Sequence, residues 1–152
     1  IKYMITTFWE KFCQEQNINT AIPEAWMFGD QTKAMGDELG NLVLEGKKTG
    51  TCSAHALYER EKEPLPQVGQ YDIILNGDGE PIAITQLKKV TVIKMDDVTP
   101  EFARKEGEGD LSYDYWYQEH VHFFTQQFKE MGLFFSTDML LVCEEFEVVY
   151  RN

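Results

Sequence analysis

Two short stretches carry residue types that could do chemistry. The first is Gly46-Lys47-Lys48-Thr49-Gly50-Thr51-Cys52-Ser53. A lysine beside a row of hydroxyls can act in two ways. Desolvated, it is a base toward a hydroxyl; charged, it binds an oxyanion. If 49–53 is a strand, Thr49, Thr51 and Ser53 share one face, while Gly50 and Cys52 point the other way. A plainer reading also fits: a lysine pair complementing a helix end, followed by a Thr-rich strand. The stretch is not a Walker A loop, because the earlier glycine is missing at the required spacing. The second stretch is Glu106-Gly107-Glu108-Gly109-Asp110. Its carboxylates alternate with glycines and could bind a divalent cation or hold one proton-transferring group. It lacks the twelve-residue EF-hand pattern, and a solvated acidic loop with Asp110 near a helix start explains it equally. Trp26, Phe28 and Tyr58 could stack on a base, although core packing accounts for most aromatics. Cys52 and Cys143 have no evident paired histidine, and neither a Gly-x-Ser-x-Gly elbow nor a GxGxxG fingerprint occurs.

These residues need elements to hold them. Ile5, Phe8, Trp9 and Phe12 recur at helical spacing and predict a helix over 5–16. Glu24 to Gly29 reads as an aromatic loop. Asp30 is the expected N-cap of a second helix, with Met35, Leu39, Leu42 and Val43 on one face and Gly46 as its stop. A strand is expected over 49–57 and a loop over 59–70. Tyr71 to Leu75 and Pro81 to Leu87 flank the turn Asn76-Gly77-Asp78-Gly79 and read as a hairpin, with β character continuing over 90–93. Thr99-Pro100 opens a short helix that ends at the glycines 107 and 109. Ser112 caps a longer helix with Tyr113, Trp116, Tyr117, His120, Phe124 and Phe128 on one face. On that face His120 reads as a hydrogen-bonded interior residue. A last strand covers 140–149. About five strands and four helices, with the strands consecutive through the middle, imply an α+β fold with a small, mostly antiparallel sheet or barrel.

Composition bounds the function. The chain has 152 residues, with 14 Lys+Arg against 26 Asp+Glu, a net charge of −12. At 43% hydrophobic and 13% aromatic it is globular, and its length suits a single domain spanning 1–152. An acidic chain is a poor binder of duplex DNA or anionic membranes, both of which need basic footprints. Cys13, Cys52 and Cys143 form no CxxC pair and fit a reducing cytoplasm. The three histidines lack zinc-site spacing with the cysteines, so no metal or other cofactor is expected. No apolar run reaches membrane-spanning length, and the N-terminus has no signal-peptide pattern. The chain opens on Ile1, so Met4 is read as the start unless residues precede it.

Four stretches together resemble the ASCH domain family, named for activating signal cointegrator homology, within the PUA-like β-barrel folds. They are Ala25 to Asp30, Gly46 to Ser53, Leu65 to Tyr71, and Ala103 to Asp110 followed by Trp116; Val142 to Phe146 also fits. They cover most of the chain in order, and the chain is similar to a longer bacterial ASCH branch long classed as a domain of unknown function. The resemblance implies a barrel with helices around a cleft that binds RNA or a nucleoside. Small bacterial relatives are amidohydrolases that remove the acetyl group of acetylcytidine with a Lys, a Thr three residues on and a Glu from the helical insertion. Those roles fall on Lys48, Thr51 and Glu106. Cys52 and Ser53 depart from the pattern, where those enzymes carry a larger apolar residue and an Arg. The expected ligand-binding residues are Trp26, Phe28, Lys47, Ser53, Tyr58, Glu108 and Asp110. The leading expectation is hydrolysis of an N-acylated pyrimidine nucleoside or similar small amide. The alternatives are a non-catalytic RNA or nucleotide module and a single-strand ribonuclease, and a homodimer stays open. Eight acidic and two basic residues between Asp96 and Glu119 favour a small, weakly charged ligand over a short single-stranded RNA.

Overall fold

The computed structural model describes all 152 residues, Ile1–Asn152. In chain order the elements are α1 (Lys2–Gln16), β1 (Ala25–Met27), α2 (Lys33–Leu44), β2 (Gly50–Ala54), α3 (His55–Glu61), β3 (Tyr71–Leu75), β4 (Pro81–Lys94), a 3-10 turn (Met95–Asp97), α4 (Pro100–Glu106), α5 (Tyr113–Glu130) and β5 (Leu140–Arg151). The strands form one five-stranded sheet in the order β1-β3-β4-β5-β2. β3–β4 and β2–β5 pair antiparallel, and β1–β3 pairs parallel. The class is α+β with a mostly antiparallel sheet, as the strand-rich middle of the sequence implies.

By internal contacts the chain divides into two compact units. One comprises 1–47, 68–88 and 146–152; the other comprises 48–67 and 89–145. In the first, Phe8, Trp9 and Phe12 of α1 pack with Ile73 and Ile84, while Phe28, Leu39, Val43, Ile74, Ala83 and Phe146 form a separate cluster. α1 stops where Asn17 takes a left-handed conformation, which its short polar side chain tolerates. α2 starts two residues later than expected. Thr32 is the N-cap, accepting from the Met35 amide, while Asp30 accepts from the Thr32 amide and hydroxyl. Both residue types cap helices, and Thr32 holds the extended backbone the cap requires.

Gly77 in the β3–β4 turn is sterically required. Its amide donates to Asp37 Oδ1 at 2.7 Å, and a Cβ there would collide with the Lys33 carbonyl oxygen. Gly77→Ala should therefore cost about 1–3 kcal/mol, read as a lower thermal midpoint; an unchanged midpoint would contradict this packing.

The second unit has its own core: Ala54, Met95, Val98, Phe102, Ala103, Trp116, Phe124, Phe128, Leu141 and Cys143. Thr99 caps α4 by accepting from the Phe102 amide, with Pro100 at the first helical position. Ser112 caps α5 by accepting from the Tyr115 amide at 3.1 Å. β2 is shorter than the expected strand, because 55–61 turn into α3. The residues of α3 are good helix formers, but none is buried, so no apolar stripe announces the helix.

Candidate active site

The two chemically suggestive stretches meet in the second unit. Lys48 lies just before β2 and Glu106 closes α4, where Gly107 (φ 74°) reverses the chain in a conformation suited to glycine. Lys48 Nζ donates to Glu106 Oε1 and to Glu108 Oε2, both at 3.0 Å. The Lys48 and Glu106 side chains are each only 2% exposed, whereas Glu108 keeps 21%. The second oxygen of Glu106 is also occupied. Oε2 accepts from Trp116 Nε1 at 2.7 Å and lies 3.2 Å from both Cys52 Sγ and His120 Nε2.

Each member of the cluster is charged or neutral for a physical reason. Burial pushes the Glu106 carboxyl up, but the Lys48 ammonium and His120 outweigh it and hold Glu106 well below the usual carboxylate range. Burial likewise opposes the charge on Lys48, and Glu106 and Glu108 raise it above the ordinary lysine value nonetheless. His120 Nδ1 lies 2.7 Å from the Trp116 carbonyl, so both ring nitrogens face oxygens. Oxygens that can only accept need protons on both nitrogens, which favours the imidazolium. Burial resists this, Glu106 overrides it, and the His120 value rises. Burial, then Glu106, pushes the Cys52 thiol well above its ordinary range, and the same causes lift Cys143 to about 12. Neither thiol is a ready nucleophile.

The other expected residues go elsewhere. Strand alternation turns Thr51 and Ser53 to the face of β2 opposite Cys52, so Thr51 does not share the Glu106 cluster. Ser53 and Tyr58 pair through their hydroxyls at 3.0 Å. Lys47 is exposed and pairs with Glu45 at 2.9 Å. Asp110 accepts from the Ser112 amide at 2.9 Å and shapes the turn into α5. In the first unit, Phe28 is buried against Phe146, and Trp26 lies edge-on to Phe28 and donates to Asp72 Oδ1 at 3.2 Å.

Sequence reasoning missed three partners of Glu106 and one buried acid. Cys52, Trp116 and His120 were each visible: Cys52 by the parity of β2, the other two as an i, i+4 pair on α5. Asp72 gave no signal beyond an acid inside an apolar strand. Burial raises its carboxyl above the ordinary value, against hydrogen bonds from Trp26 and Gln70. A raised native value means the folded chain holds this proton more tightly than the unfolded one. Stability from this group therefore falls as pH rises through the window above 3.8. Asp72→Asn should match or exceed the wild-type thermal midpoint at pH 7 and lose that advantage near pH 3; a variant clearly less stable at pH 7 would contradict the assignment.

A family model described as the ASCH domain matches residues 24–150. The chain belongs to the ASCH domain family. The ASCH chain is 44% identical to protein EF3133 from Enterococcus faecalis V583, covering 98% of this chain and 90% of that one, with a TM-score of 0.93. It is 32% identical to an ASCH domain from Lactobacillus crispatus JV V101, covering 98% and 96%, with a TM-score of 0.89. No functionally curated protein matches it. The roles proposed across ASCH domains are RNA binding and hydrolysis. No helix of this one is long and apolar enough to cross a membrane.

Proposed function

We propose that this ASCH domain is a hydrolase that cleaves the acyl–nitrogen bond of an N-acylated pyrimidine nucleoside or a similar small amide. The observation that carries the reading is the buried Lys48–Glu106 pair at 3.0 Å. A buried ion pair contributes little net stability, because desolvation offsets its attraction. What it does supply is an ammonium fixed in place, close to a carboxylate that keeps it charged. That is the requirement for stabilising the oxyanion that forms when an amide carbonyl is attacked.

In this reading Lys48 donates to the acyl oxygen, and Glu106 positions Lys48. Water is the nucleophile. It adds to the carbonyl carbon and gives its proton to Glu108, the partly exposed carboxylate. Glu108 then returns that proton to the leaving nitrogen as the carbon–nitrogen bond breaks, yielding the free amine and a carboxylic acid that loses its remaining proton to solvent. Thr51 is not the nucleophile, because its hydroxyl would need a base: Lys48 is held as an ammonium, and Glu106 lies on the other face of β2. The high acidic charge favours a neutral nucleoside-sized substrate.

The test is turnover of a panel of N-acyl cytidines alongside a labelled oligoribonucleotide. Turnover of the amides with the oligonucleotide intact supports the reading; cleavage of the oligonucleotide alone overturns it. Thr51→Val should keep kcat within about tenfold, whereas losing one oxyanion donor costs about 10²–10³. A loss of that size in Thr51→Val, with a trapped acyl-enzyme, would move the attack to the Thr51 hydroxyl.

A further inference from the structure

Cys52, Glu106 and His120 come from three elements, β2, α4 and α5, and offer three ligand atoms of different chemistry within 4.8 Å of one another. We propose that these three side chains form a binding site for one zinc-type divalent ion, through Cys52 Sγ, Glu106 Oε2 and His120 Nε2. This goes beyond the hydrolase reading and does not depend on it.

The spacing fits. With metal–sulfur bonds of about 2.3 Å and metal–nitrogen or metal–oxygen bonds of about 2.0 Å, a tetrahedral ion places its sulfur and oxygen ligands about 3.5 Å apart. The nitrogen and oxygen ligands then lie about 3.3 Å apart. Sγ and Nε2 each lie 3.2 Å from Oε2, a few tenths of an ångström from these spacings, and all three atoms lie within 4.8 Å of one another. The surroundings are also those of a metal site. His120 Nδ1 lies 2.7 Å from the Trp116 carbonyl, which fixes the ring with Nε2 turned to the other two ligands. Trp116 Nε1 donates to Oε2 at 2.7 Å, and Lys48 Nζ holds Oε1 at 3.0 Å, so the carboxylate is oriented from both ends.

The ligand set selects the ion. A thiolate and an imidazole suit zinc or cobalt and disfavour magnesium and calcium. Three protein ligands leave one tetrahedral position for water, the pattern of a reactive ion rather than a closed structural one. Entry displaces the proton on Sγ and the proton on Nε2, and both leave to solvent. Two positive charges are exchanged for one doubly charged ion, so the local net charge beside Lys48 and Glu108 is unchanged. His120 keeps 15% of its side chain exposed, which gives the ion a way in.

The test is titration of the full chain with cobalt(II), after reduction and removal of metals by a chelator. The expected result is one equivalent bound, with a thiolate-to-cobalt absorption band, tetrahedral visible bands and displacement by zinc. Cys52→Ser should lose the thiolate band and bind at least tenfold more weakly, and Cys13→Ser should retain both properties. Absence of stoichiometric binding by the wild type, or an unchanged thiolate band in Cys52→Ser, would overturn the site. Amide turnover is read separately, so failure of the metal site and failure of the hydrolase reading are distinguishable.

Discussion

Lys48→Met should lose about 3–5 kcal/mol of unfolding free energy and at least about a hundredfold in amide turnover. The stability loss arises because Lys48 is the first partner of a carboxylate that is 2% exposed. Removing it leaves the Glu106 charge buried against His120, Trp116 and Cys52 alone. The same substitution frees Glu108, which is partly exposed and can turn to solvent at little cost. The two effects separate in the double variant Lys48→Met/Glu106→Gln. Removing both charges should restore part of the stability, because the buried carboxylate is gone and His120, no longer held charged by it, can release its proton. Turnover should stay lost, because the oxyanion donor is still absent. Urea unfolding of the two variants measures the first effect. An unshifted midpoint in Lys48→Met would show that the pair is not buried as described.

Glu106→Gln has the second largest expected effect. The amide keeps the shape of the carboxylate and can still accept from Trp116. It removes the charge that holds Lys48 and His120 in their protonated forms. Hydrogen bonds to a charged acceptor are worth about 1.5–3 kcal/mol each, and Glu106 accepts several. A loss of about 3 kcal/mol is expected, allowing for the partial replacement by the amide. In the proposed hydrolysis Glu106 positions Lys48, so kcat should fall while KM stays within a few-fold. Glu106→Asp, which keeps the charge but draws it back, should recover stability more than kcat. An equal rise in KM with unchanged kcat would place Glu106 in substrate binding instead.

Much of this arrangement was legible in the sequence, and the gaps have physical reasons. The helix starts at Thr99-Pro100 and Ser112 were readable because a cap is a local signal, satisfied by one side chain and one amide three residues on. The hairpin around Asn76-Gly77-Asp78-Gly79 was readable for the same reason. β1 was not: three residues are too few to show a period, and its pairing with β3 is parallel and distant in sequence. α3 was missed because none of its residues is fully buried and only Leu57 packs against the core, too little for an apolar stripe. Lys48 and Glu106 were singled out by motif, but their meeting across 58 positions of chain follows only from the fold. The parity of β2 held more than was used. It sets Cys52 opposite Thr51, and the structure carries Cys52 to Glu106. His120 and Trp116 looked like core residues on an aromatic face, and they are; their polar atoms also converge on one carboxylate oxygen.

The central claim is that a buried ammonium at Lys48 serves amide hydrolysis. The most direct measurement is acetate release from acetylcytidine by the purified full chain and by Lys48→Met prepared in parallel, each checked for folding. Acetate released by the wild type, and at least about a hundredfold less by the variant, is the result this account predicts. No release by folded wild-type protein, or equal release by the two, would contradict it.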